Sequence, residues 1–163
     1  MAKVDYFLKL DPKLEGEAGD EKHKGEIEVE SFSFGVVNHG TGGTGTGHGG
    51  GKSSQQDAMF TKKVDKASAT LFKACATGQH YKSALLTVRK AGGKQEEYLK
   101  VTLTGAYISS YSLGGSGGEG VVPTDTFAIN FAKMAISYKE QKAEGGLGGE
   151  IKGSYDWVTN KAE

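Results

Sequence analysis

The sequence predicts a mainly β fold: a small β-barrel of seven or eight strands with one short α-helix and a long glycine-rich loop. Three observations predict it. Polar and apolar residues alternate with a period of two through most of the chain, one segment alone carries a helical stripe, and glycine, 26 of 163 residues, gathers in excursions between the alternating runs. A chain of 163 residues fits one domain spanning 1–163, large enough to bury a single core.

Residues 3–10 place Val4, Tyr6, Leu8 and Leu10 on one parity and Lys3, Asp5 and Lys9 on the other, a strand covered on one face that Pro12 stops. Residues 13–25 read as a polar connection. Residues 26–37 resume as a strand, with Ile27 and Val29 on one parity and Phe32, Phe34 and Val36 on the other, so a bulge or bend is expected near Ser31. After the glycine-rich stretch, 56–64 reads as another strand. Residues 65–78 form the expected helix, with Asp65 or Ser68 as N-terminal cap and Gly78 as its end. At 100° per residue its Leu71, Phe72, Ala74, Cys75 and Ala76 cover a broad apolar arc, which predicts a mostly buried helix.

From Tyr81 onward the pattern is strand. Ala84, Leu86 and Val88 alternate with Leu85, Thr87 and Arg89, Gly92 and Gly93 supply a hairpin turn, and Leu99, Val101 and Leu103 begin a second run that Ala106 to Leu113 extends. Residues 126–141 follow with a parity slip between Phe131 and Met134, 144–149 read as a loop, and 151–158 as the closing strand.

Twenty basic residues balance twenty acidic ones, which argues against a nucleic-acid or anionic-membrane binder. Local clusters (Lys62, Lys63 and Lys66; Glu15, Glu17, Asp20 and Glu21) read as solvated surface or as contacts with neighbouring subunits. The one cysteine, Cys75, excludes an internal disulfide and a multi-cysteine zinc site. The charged N-terminus shows neither a secretory signal nor a membrane span.

Eight glycines fall in the twelve residues from Gly40 to Gly51, and Gly51, Lys52 and Ser53 imitate the end of a phosphate-binding Walker loop. The first glycine such a loop requires is Thr46, and alternation rather than a helical stripe follows it. The same stretch twice satisfies a dinucleotide-binding pattern, and 114–118 spells a hydrolase nucleophile elbow, but none of these precedes a helix. His23, His39, His48 and His80 lie in or beside polar connections without ligand or base at working spacing; His39 and His48 bracket the glycine island, where a stretch of glycine and threonine would not hold metal ligands rigidly, so surface hydrogen bonding is expected there. The residues predict no catalytic, metal or cofactor site.

Several segments together resemble the haemolysin-coregulated protein (Hcp) family, the tube subunit of bacterial type VI secretion: VDYFLKL, HKGEIEVESFSFG, the glycine island ending GGGK, QDAMFTKKVDKAS, LFKACATGQHYKSALLTVRKAGG, EEYLKVTLTGAYISS, GGSGGE and INFAKMAISYKEQKA. The span 60–93 is the most specific. This resemblance implies a β-barrel with an appended helix, a homo-hexameric ring, and rings stacked into a hollow tube that carries small effector proteins in its lumen. It implies as partners a VgrG-type spike protein and sheath proteins, with no nucleic acid and no membrane insertion. It also implies synthesis in the bacterial cytoplasm without a signal peptide and secretion through the type VI system. The chain's end soon after its last strand reads as a plain tube subunit without a fused toxin.

Within that reading the long excursion is the expected stacking element, through Asn38, His39, Thr41, Thr44, Thr46, His48, Lys52 and Gln55. Glycine and threonine let backbone approach backbone, and ordering such a loop costs about 1–2 kcal/mol per residue, so it is expected to fix only on stacking. Leu71, Phe72 and Cys75 are the expected subunit-packing residues of the helix. Two rival readings differ in class: an enzyme holding a phosphorylated ligand at Gly51-Lys52-Ser53, and a monomeric carbohydrate-binding or adhesive β-domain, suggested by seven tyrosines, one tryptophan and neutral charge.

Overall fold

A computed structural model describes residues 4–40, 52–90 and 93–163. Its elements in chain order are β1 (Val4–Asp11), β2 (Ile27–Val29), β3 (Ser31–Asn38), β4 (Ser53–Lys63), α1 (Ala67–Thr77), β5 (His80–Lys90), β6 (Glu97–Gly114), β7 (Thr124–Asn130), β8 (Lys133–Gln141), β9 (Leu147–Asp156) and β10 (Lys161–Ala162). Two of the expected runs are each cut in two. The bend expected near Ser31 falls at Glu30 and hands the chain from β1, which β2 pairs, to β4, which β3 pairs. The parity slip after Phe131 separates β7 from β8, and β9 begins at Leu147, inside the expected loop.

All pairings are antiparallel, and β6 organises them. Of its 18 residues, Glu97–Tyr107 run beside β5 on one side; on the other, Leu99–Thr104 face β8 and Tyr107–Gly114 face β7. β7 continues to β4 and β3, while β5 continues to β1 and β2. The two branches meet at the bend, where the Glu30 N–H donates to the Thr61 carbonyl at 2.8 Å. The result is barrel-like and open, because that seam is a bend rather than a ladder. β8, β9 and β10 project from the first half of β6 as a wing.

The alternation read in sequence becomes cross-strand rows. Leu8, Leu86 and Val101 stand side by side, as do Leu10, Ala84 and Leu103, all buried. Phe60 on β4 stacks on Phe127 of β7 with ring centroids 5.3 Å apart, and both are sealed from solvent. Burying each side chain of this size contributes about 1.5–3 kcal/mol before chain entropy is subtracted.

The helix begins two residues later than expected and ends where glycine allows. The N-cap position falls to Lys66, which makes no side-chain cap, so neither expected residue caps the helix; instead Asp65 Oδ1 accepts the Ala67 N–H at 2.9 Å and Ser68 Oγ accepts the Asp65 N–H at 3.0 Å, which fastens the chain as it enters the first turn. Gly78 takes the left-handed conformation at φ 67°, which turns the chain toward β5. The buried face is narrower than its apolar arc. Ala67, Ser68, Leu71 and Ala74 are buried and Cys75 is half-buried, whereas Phe72 (61% exposed) and Ala76 face outward. The helix packs chiefly beside β6, and among the described residues its far face is left largely uncovered.

Candidate functional site

The expected stacking residues divide at the edge of the excursion. Thr41, Thr44, Thr46 and His48 lie outside the described residues. Asn38, His39 and Lys52 are exposed at its root, and Gln55 is half-buried. Asn38 and Ser53 form the last register pair of the β3–β4 hairpin. One strand of this root is tied into the body: Gln55 Nε2 donates to the Phe131 carbonyl at 2.9 Å and Trp157 Nε1 donates to Ser53 Oγ at 3.2 Å. His39 Nε2 lies 3.4 Å from Ser54 Oγ, the surface hydrogen bond expected of it.

The helix residues divide too. Leu71 is sealed in the core, Cys75 packs against the core's edge, and Phe72 is outside, meeting Tyr111 edge-on at 6.3 Å. Of the three, Phe72 presents the surface that another molecule can cover. A second apolar surface lies on the wing. The row Val88, Leu99, Tyr138 and Ile151 starts inside the barrel at Val88 and ends with Tyr138 at 41% and Ile151 at 70% exposure. The row above it ends at Ile136, also exposed. The outer face of α1 and the wing thus both carry apolar surface that the described residues leave exposed.

Two charged clusters correct the reading of surface polarity. Lys62 is not solvated: its side chain is fully buried and its ammonium donates to Asp125, Asp65 and Ser68, each at 2.9 Å. Tyr111 donates to the same Asp125 oxygen at 2.8 Å, and burial together with that carboxylate pushes its phenol up to about 12. The signal was available in the alternation, since Lys62 shares the parity of Ala58 and Phe60, and Asp125 that of Phe127 and Ile129. A charge on a core parity predicts an opposite charge across the ladder. Lys63 and Lys66 are exposed, as surface residues should be.

The second cluster overturns the expectation for His23 and for residues 13–25. This segment folds back over the outer face of β1 and β5, held by backbone hydrogen bonds from Gly16 to Gly25 and from Ala18 to Glu26. A Cβ on Gly16 would stand 2.3 Å from the Glu26 carbonyl oxygen, so no other residue fits that crossing. His23 is buried, stacks on Phe7 at 4.4 Å, and places Nδ1 against Glu26 and Nε2 against Glu97, both at 2.7 Å. Arg89 lies over the Phe7 ring at 4.7 Å and grips Asp20 with both guanidinium nitrogens, at 3.0 and 2.5 Å. That grip lowers the Asp20 carboxyl from its ordinary 3.8 to about 2. Burial pushes Glu97 up, but hydrogen bonds from His23 and Lys100 outweigh it and hold the carboxyl below its usual range.

These clusters tie elements of one chain together. Among the described residues no three His, Cys, Asp or Glu side chains gather into a metal-binding group, and no helix is long and apolar enough to cross a membrane.

Residues 7–138 match the family model described as type VI secretion system effector, Hcp. The chain is 44% identical over 156 residues to Protein hcp1 of Pseudomonas aeruginosa, covering 94% of each. Among solved structures it matches one described as a type six secretion system protein, with TM-score 0.92 and 31% identity over 99% of this chain and 100% of that one. It also matches Hcp1 from Salmonella typhimurium, with TM-score 0.79 and 35% identity over the whole of both chains.

Proposed function

The chain belongs to the Hcp family of the type VI secretion system, and from that membership we propose that it is the structural subunit of the secretion tube: six copies close a ring, and rings stack into a hollow tube that carries small effector proteins. The observation that carries the reading is the end-to-end match to a curated Hcp protein. Two kinds of uncovered apolar surface support it, the outer face of α1 at Phe72 and the wing at Tyr138 and Ile151. A ring contact is heterologous, one patch against a different patch of the neighbour, and requires surface of this kind on two sides of one subunit.

In this role the protein is made in the cytoplasm, is exported by the system it builds, meets a VgrG-type spike at one end and a sheath around its outside, and catalyses no reaction. The root of the excursion at Asn38, His39, Lys52 and Gln55 is the contact to the next ring, and Leu71, Phe72 and Cys75 belong to the packing of one subunit on the next, Phe72 by touch and the other two by holding the helix. Light scattering of purified protein followed by negative-stain imaging tests the proposal. A mass near six subunits and annular particles are expected; a lone subunit at high concentration would overturn it. Calorimetry with ATP and GTP should give no binding heat.

A further inference from the structure

The root of the excursion is held by the far end of the chain. Trp157, the only tryptophan in the sequence, donates its indole N–H to Ser53 Oγ at 3.2 Å, at the residue where β4 begins. Its own position is fixed from three directions. Its backbone N–H donates to the Ala132 carbonyl at 2.9 Å, its ring meets Phe131 edge-on at 5.9 Å, and Tyr155 packs on it at 5.0 Å. The turn that follows is pinned by Asp156, whose carboxylate accepts the N–H groups of Val158 and Thr159 at 2.8 and 3.2 Å. Two residues along β4, Gln55 is fastened to the carbonyl of the same Phe131.

The other strand of the root has less to hold it. β3 pairs with β4 alone, and Val36, Val37, Asn38 and His39 are exposed. We infer that Trp157 is a positioning residue for ring stacking: its indole N–H fixes Ser53, between Lys52 and Gln55 at the root where one ring meets the next. The inference rests on the proposal that this excursion joins rings. It assigns to the C-terminal turn a part in tube growth distinct from ring closure.

The experiment compares wild type, Trp157→Phe, Ser53→Ala, the double variant and Ser53→Thr. Rings are sized by light scattering, and ring-to-ring association is measured by sedimentation against concentration. Phenylalanine keeps the packing on Phe131 and Tyr155 and loses only the donor. Both single variants should keep six-subunit rings while their stacking weakens about tenfold, the worth of one hydrogen bond made in a preorganised contact. The double variant should be no weaker than either single one, because both remove the same bond. Ser53→Thr, which retains the hydroxyl, should stack as wild type does. Tryptophan emission, which reports Trp157 alone, should shift as wild-type rings associate and shift less in Ser53→Ala; a merely structural role would not produce that. Wild-type stacking matched by Trp157→Phe, or additive losses in the double variant, would overturn this inference alone. Rings that never associate, or that stack as well after deletion of Gly42 to Gly50, would overturn the parent reading and this inference with it.

Discussion

Lys62 on β4 and Asp125 on β7 stand opposite each other in register and close a 2.9 Å ion pair with neither side chain exposed. The pair reaches beyond the barrel wall. Lys62 also holds Asp65 and Ser68 at the start of α1, and Asp125 holds the Tyr111 hydroxyl on β6, so three strands and the helix meet at one buried charge. Asp125 Oδ1 has no hydrogen-bond partner among the described residues, which makes the carboxylate dependent on Lys62 for compensation.

Removing one partner should therefore cost far more than removing both. Lys62→Met leaves a buried carboxylate without its cation and should lower stability by about 3–5 kcal/mol in urea denaturation, whereas adding Asp125→Leu should recover most of the loss. A single variant as stable as wild type would show that the pair is solvated in solution.

The stack of His23 on Phe7 makes a second, local prediction. His23→Ala leaves Glu26 and Glu97 facing each other without the ring between them and uncovers Phe7. Residues 13–25 should open without the barrel unfolding, and exchange protection of the Gly16, Ala18 and Gly25 amides should fall about tenfold or more, as expected when about 1.4 kcal/mol of local stability is lost. Hydrogen exchange read by mass spectrometry checks this. Unchanged protection would mean that the backbone bonds suffice.

Acid should act on the same segment through Asp20. Its carboxyl titrates at about 2 in the fold, held down by the Arg89 hydrogen bonds, against an ordinary 3.8. A depressed carboxyl stabilises the folded state above its unfolded value and loses that contribution as pH falls through the folded one, so the loss should run from about pH 4 down to pH 2. Denaturation midpoints over this range should flatten in Asp20→Asn relative to wild type. An equal slope in the two proteins would assign the acid sensitivity to other carboxylates.

The barrel was legible because alternation and burial have the same period: Leu8, Leu86, Val101 and Leu103 could be placed on the inner face from sequence alone. The switch at Glu30 was legible as a parity slip. His23 was misread because it sits in a polar connection and its partner Glu97 is 74 residues away, a separation that periodicity does not encode; Lys62 shares the parity of Ala58 and Phe60, but grouping it with Lys63 and Lys66 hid that signal. The helix was misjudged for another reason. An apolar arc says which residues avoid water; it does not say whether this chain or a neighbouring one covers them.

That distinction makes the last prediction, on Leu71 and Phe72. Leu71 is fully buried against the core, so Leu71→Ala should leave a cavity and cost about 2–5 kcal/mol in the folded subunit, whatever its state of association. Phe72, 61% exposed and edge-on to Tyr111, should cost less than about 1 kcal/mol when replaced by alanine in a dissociated subunit. Its loss should appear in ring assembly, as smaller species in native mass spectrometry at micromolar dilution where wild-type rings persist. If Phe72→Ala rings survive dilution as wild type does, the outer face of α1 is not part of the ring contact, and the wing residues Tyr138 and Ile151 remain to make it.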